Sequence, residues 1–234
     1  MKWSAVIAAA GSGSRLGAQQ PKALVELGGR ALIVHAVTSM QDAGVSDCIV
    51  TAPAGHIAQF QQVFEDAGLR VTLVPGGATR QESVALGLAH VQTPAVLVHD
   101  AARCLTPVAM IQRVQQAIES GSRSAIPALP VVDTIKRVSA RSTVSETLQR
   151  NELRAVQTPQ GFLTETLRQA HEFGAQLSAS EASAAPDDAA LVELMGIDVV
   201  VVDGEPEALK ITTPFDLVVA QQLYAQRTTS ERTN

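Results

Sequence analysis

The sequence is poor in the features that would direct it to a metal cluster, a nucleic acid or a membrane. Its two cysteines, Cys48 and Cys104, lie far apart with no second Cys or His at metal-ligand spacing, so a zinc site or a disulfide framework has little support. Lysine and arginine number 18 against 23 acidic residues, and the net charge of −5 argues against a general nucleic-acid or membrane surface. Local cations must therefore meet any anionic ligand.

Long apolar runs are also missing. The N-terminal run from Ala5 to Ala10 ends in Gly-Ser-Gly-Ser and is too short for a signal-peptide core or a membrane span. We expect a cytoplasmic protein whose cysteines are buried and reduced. With 234 residues, 46% of them hydrophobic, we expect a single domain over residues 1–226, followed by a disordered tail over residues 227–234.

Strand-length apolar runs alternate with stretches of helical period in the first half of the chain. The predicted strands are 3–10, 48–52, 71–74 and 95–99, and the helices that follow them are 31–43, 57–67, 80–89 and 108–118. The strands are nearly continuous Val, Ile, Leu and Ala, which is typical of a parallel sheet covered by helices on both faces. The sequence predicts an α/β fold with a doubly wound, mostly parallel sheet.

The pattern changes after a strand predicted at 124–129. Residues 131–138 and 153–157 read as strands around a polar, turn-rich stretch at 141–151, which predicts an arm at about 131–157 that projects from the domain. A Ser/Ala-rich loop then precedes the last predicted elements, which are a helix at 187–195, a strand at 198–202 and a helix from 214 to about 226.

Helix boundaries carry recognisable signals. Thr79 and Glu82 form the pattern of a capping box, and Thr106-Pro107 and Thr213-Pro214 each place a hydroxyl cap before a proline at the first helical position. Three glycines are expected to close helices, namely Gly44, Gly68 and Gly121.

A loop of small residues follows the first predicted strand. Its members of interest are Ala9, Ala10, Gly11 and Gly13, followed by two cations, Arg15 and Lys22. Such a loop lets backbone N–H groups approach a phosphate, and it lies at the ligand-bearing edge of the sheet. It matches neither a Walker loop nor a dinucleotide fingerprint. We interpret the two cations as neutralising charge on a transferring phosphorus; a structural turn with two solvated charges is the alternative.

Two further loops follow predicted strands. Gly76 and Gly77 either admit a base or ribose beside Ser83, or serve only the cap at Thr79. Asp100, directly after the fourth strand, is placed to hold Mg²⁺, which prefers oxygen ligands; alternatively it caps its loop and pairs with Arg103. Polar residues on the arm, and Lys210 near the C-terminus, would ordinarily be solvated.

Together these elements resemble the 2-C-methyl-D-erythritol 4-phosphate cytidylyltransferases of the non-mevalonate isoprenoid pathway. The resemblance covers residues 3 to about 220 in order. It rests on the motifs Ala9-Ala10-Gly11-x-Gly13-x-Arg15, Pro21-Lys22, Gly76-Gly77 with Arg80 and Ser83-Val84, His99-Asp100-Ala101-Ala102-Arg103, Asp133-Thr134, Thr158-Pro159-Gln160, Asp187-Asp188 and Lys210-Ile211-Thr212.

The resemblance implies a Rossmann-like nucleotidyltransferase fold and a homodimer in which each arm completes the partner's active site. It implies that Arg15 and Lys22 stabilise the transition state. It implies that the residues that bind CTP are Ala9, Ala10, Gly11, Gly13, Gly77, Ser83, Asp100 and Ala101. Asp100 would also bind Mg²⁺ and the acceptor's hydroxyls. The acceptor, methylerythritol phosphate, would be bound by Arg103 and Lys210, together with Thr134 and Arg150 of the partner subunit. Cys104 and Pro186 depart from the family pattern, and we expect a freer loop at Cys104.

Three other interpretations remain for comparison. Cytidylyltransferases for ribitol 5-phosphate resemble this family closely and differ in the acceptor. A nicotinamide-dependent oxidoreductase is disfavoured because Leu16 stands where the fingerprint needs its third glycine. A nucleotide-sensing module would not need Arg15 or Lys22 for its function.

Overall fold

Eight of the described strands form one mixed sheet, and two further strand pairs lie outside it. The structure, a computed structural model, describes residues 1–11, 20–177 and 186–231. The described strands are β1 (Trp3–Ala8), β2 (Glu26–Leu27), β3 (Arg30–Ala31), β4 (Asp47–Ala52), β5 (Thr72–Pro75), β6 (Ala95–Asp100), β7 (Ser124–Pro130), β8 (Lys136–Val138), β9 (Val144–Thr147), β10 (Arg154–Val156), β11 (Gln160–Leu163) and β12 (Val200–Asp203). The pairs outside the sheet are β2 with β3 and β8 with β9.

Helices cover both faces of this sheet. They are α1 (Leu32–Asp42), α2 (Ile57–Asp66), α3 (Arg80–Leu88), α4 (Val108–Glu119), α5 (Thr164–Gln176), α6 (Asp188–Leu194) and α7 (Pro214–Glu231). No helix in the described part of the chain is long and apolar enough to cross a membrane.

The central sheet has the strand order β10-β7-β11-β6-β1-β4-β5, and β12 pairs with β7. Strands β6, β1, β4 and β5 are parallel neighbours, and β12 is parallel to β7. Strand β11 lies antiparallel between β6 and β7. Strand β10 also pairs antiparallel with β7 at the edge of the sheet. The prediction of a mostly parallel, doubly wound sheet is therefore confirmed, with β11 and β10 as its antiparallel strands among the described residues.

Alternation along β1 explains its continuous apolar run. Ala5 and Ile7 pack into a core layer that includes Ile33 of α1 and Val114 of α4. Val6, which points to the opposite face, packs into a second layer with helices α3 and α5. Because both faces are buried, both carry mostly apolar residues, and the buried Ser4 hydroxyl has Thr93 as its hydrogen-bond partner. The strand therefore shows no period of two.

The predicted helix signals are largely confirmed. Thr79 and Glu82 form a complete capping box at α3, and Thr213 accepts a hydrogen bond from the Asp216 N–H at 3.2 Å. Gly44, Gly68 and Gly121 follow helices with positive φ. The predicted Thr106 cap is wrong, because its hydroxyl donates to the carbonyl of Arg103 and α4 begins at Val108 without a side-chain cap.

Several elements were missed or misplaced. Neither α5 nor β11 was predicted from the sequence. The stretch expected to be turn-rich contains β9, which pairs with β8 in a separate exposed hairpin. A strand was predicted from residue 131, but β8 begins only at Lys136.

The prediction of a disordered tail is wrong for residues 227–231, because α7 continues to Glu231. Arg227 pairs with Glu207 and donates to the carbonyl of Leu105 at 2.6 Å, which ties the last turns of the helix to the body of the protein. Residues 232–234 lie outside the described residues.

Core burial predicts a large stability difference between two phenylalanines. Phe60 of α2 is fully buried, whereas Phe215 of α7 is 74% exposed. We expect Phe60→Ala to lower the free energy of unfolding by about 3–5 kcal/mol, because it removes buried contacts and leaves a cavity. Phe215→Ala should change it by about 0.5 kcal/mol or less. Urea unfolding measures both, and equal losses would contradict this assignment of the core.

Candidate active site

A cleft of about 500 Å³ opens at the carboxyl ends of β1, β5 and β6. Its described lining consists of Ala8, Ala9, Ala10, Gly11, Lys22, Ala23, Gly77, Ala78, Thr79, Arg80, Ser83, Asp100, Ala101, Ala102, Lys210 and Thr212. Nine residues predicted for the site are therefore brought together, including Lys22, Asp100 and Lys210. Gly13 and Arg15, which were also predicted, lie outside the described residues.

The cleft is lined by small residues that pack closely where the strands end. The Ala9 N–H donates to the Thr51 carbonyl at 2.9 Å, and the Ala101 N–H donates to the Ala8 carbonyl at 3.2 Å. A Cβ on Gly76 would lie 2.6 Å from the Cβ of Ala10, so a larger residue there would displace the loop. The backbone of these loops can therefore approach a ligand without interference from large side chains.

Ser83 fixes the turn that follows β5. Its buried hydroxyl donates to the Thr79 carbonyl at 2.8 Å and accepts from the Gly77 N–H at 3.1 Å. A Cβ on Gly77 would lie 2.5 Å from the Cβ of Glu82. The turn lines the cleft, which supports the interpretation that it admits a base or ribose. Its polar groups also hold the start of α3, which supports the interpretation that it serves the helix cap.

Asp100 is the sole carboxylate among the described lining residues, and two cations hold it. Arg80 Nε lies 3.1 Å from Oδ1, and Lys210 Nζ lies 2.7 Å from Oδ2. Burial would raise the pKa of Asp100, but the charges of Arg80 and Lys210 hold it well below its usual range. Asp100 is therefore an anion at neutral pH. The alternative in which its carboxylate pairs with Arg103 does not describe the structure.

Arg80 has a second carboxylate behind the cleft. Its Nη1 donates to Asp188 Oδ2 at 2.7 Å, and His171 Nε2 lies 3.0 Å from Asp188 Oδ1. Burial would lower the pKa of Arg80, yet the two carboxylates raise it above its ordinary value. In the sequence, Arg80 and Asp188 stand out only as parts of the family pattern, and nothing there identifies His171. Nothing in the spacing of these residues signals the contact, because Asp188 is 108 positions from Arg80.

His99 is packed inside the sheet beside this cluster. Its Nδ1 lies 2.9 Å from the hydroxyl of Thr158, which also accepts from the Asp100 N–H at 3.1 Å. Its buried Nε2 has no hydrogen-bond partner in the part of the chain that the structure describes. Burial lowers the pKa of His99 to about 4, although Asp100 opposes this shift. His99 is thus a neutral packing residue at the edge of the site.

The structure places Arg103 beside the cleft, where it holds backbone. Its Nη1 donates to the Ala208 carbonyl at 2.7 Å, and its Nη2 donates to the Val156 carbonyl at 3.3 Å. Arg103 therefore links the loop after β6 both to β10 and to the segment that carries Lys210. It is not among the described residues that line the cleft.

Thr134 and Arg150 are exposed on the arm and are not among the described cleft residues of the same chain. Arg150 Nη1 donates to the Val132 carbonyl at 2.8 Å. Within one chain, the structure therefore does not bring these two predicted residues to the cleft.

The two departures from the family pattern have clear surroundings. Cys104 is buried in an apolar cluster with Leu105 and Ile211, and burial raises the pKa of its thiol to about 12. The loop that was expected to be freer is therefore packed. After Pro186, Asp187 caps α6 by accepting from the Ala190 N–H at 2.9 Å and also accepts from Gln160 Nε2 at 2.7 Å.

Comparisons with known proteins agree with this geometry. The family model described as 2-C-methyl-D-erythritol 4-phosphate cytidylyltransferase matches residues 3–226. The chain belongs to this family. A protein of this name from Saccharopolyspora erythraea is 44% identical over 227 residues, which cover 94% of this chain and 98% of that protein. A second, from Rhodococcus opacus, is 45% identical over 220 residues, which cover 94% and 93% of the two chains.

Solved structures agree with the family assignment. The crystal structure of the Thermus thermophilus enzyme has a TM-score of 0.79 and 37% identity, with 95% of this chain and 98% of that chain covered. A synthase structure from Anaerococcus prevotii has a TM-score of 0.81 and 25% identity, with 96% and 98% covered. The observed sheet is thus that of a Rossmann-like nucleotidyltransferase.

Burial of His99 predicts a pH-dependent loss of stability. Because its pKa falls from an ordinary 6.5 to about 4 on folding, the unfolded chain takes up this proton first as pH decreases. The contribution of neutral His99 to the free energy of unfolding is therefore fully present above pH 6.5. It is lost between pH 6.5 and 4, and the loss reaches roughly 3 kcal/mol. In urea unfolding, His99→Asn should show a shallower decline across this range than wild type, whereas His90→Asn, at an exposed histidine, should not. Equal declines for wild type and His99→Asn would contradict the assignment.

Proposed function

We propose that this chain transfers the cytidylyl group of CTP to 2-C-methyl-D-erythritol 4-phosphate, giving 4-diphosphocytidyl-2-C-methyl-D-erythritol and pyrophosphate. The observation that carries the proposal is the cleft at the strand ends in a member of this family. It has walls of small residues, and its described lining includes three cations, Lys22, Arg80 and Lys210, and one carboxylate, Asp100. This composition suits a ligand that brings several phosphates.

The reaction needs no general base. A phosphate monoester has a second pKa of about 6, so the acceptor is already largely a dianion at neutral pH. One of its oxygens forms a bond to the α-phosphorus of CTP, and the bond from that phosphorus to the bridging oxygen of the β-phosphate breaks as pyrophosphate leaves. The protein must align two anions and neutralise the charge that develops between them. Lys22 suits this role by its place in the cleft, and Arg15 would join it from outside the described residues.

The nucleotide and the acceptor have separate binding groups in this proposal. Ala10 and Gly11, with Gly13, would hold the triphosphate through backbone N–H groups. Ala9, whose N–H is taken by the Thr51 carbonyl, would shape the start of this loop. Gly77, Ser83 and Ala101 would hold the base and ribose. Lys210 would hold the acceptor's phosphate, and Asp100 its hydroxyls. Arg103 contributes by fixing the Lys210 segment through the Ala208 carbonyl.

Asp100 fits the Mg²⁺ that the family implies. The described residues contain no cluster of three or more acidic, His or Cys side chains that could hold a metal, so a fully protein-coordinated site has no support there. Mg²⁺ commonly takes one or two carboxylates and completes its shell with phosphate oxygens and water. A carboxylate offers about four lone-pair sites, and the structure assigns one contact to each oxygen of Asp100. When bound, the ion would neutralise charge on the triphosphate.

We expect Lys22→Ala to lower turnover by at least about two orders of magnitude, the scale of removing one preorganised transition-state stabiliser. Lys2→Ala, at an exposed lysine outside the cleft, is the matched control and should retain full turnover. Pyrophosphate release measures both. A Lys22→Ala variant within a few-fold of wild type would remove this role.

We also propose that the chain forms a homodimer through its arm. Thr134 and Arg150 are exposed on the arm and do not reach the cleft of their own chain, so the family's assignment of both to the acceptor requires them to enter from the partner subunit. The exposed Val138 and Val144 of the arm hairpin would then gain cover from the second copy.

Mixing two inactive variants tests this arrangement. Lys22→Ala damages the cleft of its own chain, whereas Arg150→Ala would damage the partner's cleft. Subunit exchange between equal amounts should regenerate about a quarter of the sites, because each mixed dimer holds one intact site. Refolding the two variants together and assaying pyrophosphate release measures the recovery. Activity no greater than the sum of the separately refolded variants would contradict arm exchange.

Acceptor choice distinguishes the proposal from its nearest alternative. Pyrophosphate release with CTP and Mg²⁺ should be strongly stimulated by methylerythritol phosphate and weakly by ribitol 5-phosphate. Preference for ribitol 5-phosphate would keep the chemistry and change the pathway. Failure with both acceptors would favour a nucleotide-binding module. We also propose that this activity is cytoplasmic.

A further inference from the structure

Arg80 lies between a carboxylate that lines the cleft and one that does not. Asp100 lines the cleft, whereas the side chain of Asp188 is 1% exposed and is not among the described lining residues. An ionised carboxylate is costly to bury unless it is paired and hydrogen-bonded. Both oxygens of Asp188 are engaged, one by Arg80 and one by His171. Asp188 is therefore a fixed negative charge directly behind the site.

The position of Asp188 is set independently of Arg80. Asp188 is the first residue of α6, and the preceding Asp187 accepts from Gln160 Nε2 at 2.7 Å. The other end of the Gln160 amide accepts from the Ala189 N–H at 3.1 Å. These bonds clamp the start of α6 to β11, so Asp188 cannot readily follow a movement of Arg80.

The charges of Arg80, Lys210, Asp100 and Asp188 sum to zero. At pH 8, where an imidazole is ordinarily neutral, Arg80 and Lys210 carry two positive charges and Asp100 and Asp188 carry two negative ones. Without Asp188 the group would have a net positive charge. The charge of Asp100 would then be outweighed by those of Arg80 and Lys210, with no anion behind them to compensate. A divalent cation would be attracted less strongly.

We propose that Asp188 is a positioning residue for the metal and nucleotide site, where its buried charge balances Arg80 and so leaves Asp100 able to attract a divalent cation. The inference rests on the proposed function, since it concerns the Mg²⁺ that accompanies CTP. Asp188 acts through Arg80 and contacts neither ligand.

Calorimetric titration of CTP without acceptor tests the proposal, because no turnover occurs and Mg²⁺ can be included or chelated. For wild type, the ratio of CTP affinity with Mg²⁺ to that without it defines the metal's contribution. In Asp188→Asn we expect this ratio to fall by at least about tenfold, the scale on which one unit charge acts on a divalent cation across a neighbouring side chain. CTP affinity without Mg²⁺ should stay equal or rise, because the site gains positive charge.

A second variant separates charge balance from a purely structural role. Arg80→Gln combined with Asp188→Asn restores the net charge to zero, and we expect its affinity ratio to return to within about threefold of wild type. If Asp188 were only structural, the double variant would be as defective as Asp188→Asn or worse. Arg80→Gln alone should raise the ratio, and it still tests the proposal if Asp188→Asn fails to fold in a circular dichroism melt.

Glu205→Gln is the matched control. It breaks an ion pair of 2.6 Å with Arg113 outside the cleft and should leave the ratio unchanged. An unchanged ratio in Asp188→Asn, with a normal wild-type response, would overturn the inference alone. Wild type that binds no CTP with Mg²⁺ present would overturn the proposed function as well.

Discussion

The bridge that Arg80 forms between Asp100 and Asp188 governs the placement of charge in the cleft. Asp100 ends a central strand, Asp188 begins a helix on one face of the sheet, and Arg80 is the first residue of another helix on that face. Each of these charges would be costly at its depth without the others. The need to keep them paired therefore fixes how α3 and α6 sit relative to the end of β6.

Hydrogen bonds in the neighbouring elements fix the positions of Arg80 and Asp100. The capping box of Thr79 and Glu82 sets the start of α3 and so the position of Arg80. Thr158 accepts from the Asp100 N–H and lies beside buried His99, which steadies the end of β6 from the other side. A site that must neutralise transient charge benefits from such preorganisation, because its groups then need not reorganise during the reaction.

Local patterns predicted the parts of this protein that local forces determine. The capping box, the glycine helix ends and the buried parallel strands depend on neighbours a few residues away or on burial of a whole segment, and these were recognised. The loops after β1, β5 and β6 were placed at one cleft because parallel strands share an edge. The roles assigned to individual residues came from the family pattern, since a lone Lys210 has no distinctive spacing.

Contacts between distant segments could not be predicted in the same way. The pairing of Asp188 with Arg80 and His171 forms only when α5 and α6 pack against α3, and no periodicity records it. Strand β11 was missed because its four residues include Gln160 and Gly161, which do not resemble a buried strand by composition. Tertiary context decided these elements, as it decided the extension of α7 through the contacts of Arg227.

The most direct test of this account is a crystal structure of the protein with CTP and Mg²⁺. We expect that Asp100 contacts the cation, that Arg80 still bridges Asp100 and Asp188, and that the triphosphate lies against the backbone of Ala9 to Gly11. A nucleotide bound away from the carboxyl ends of β1 and β6, or an Arg80 detached from Asp188 with the cation held elsewhere, would contradict it.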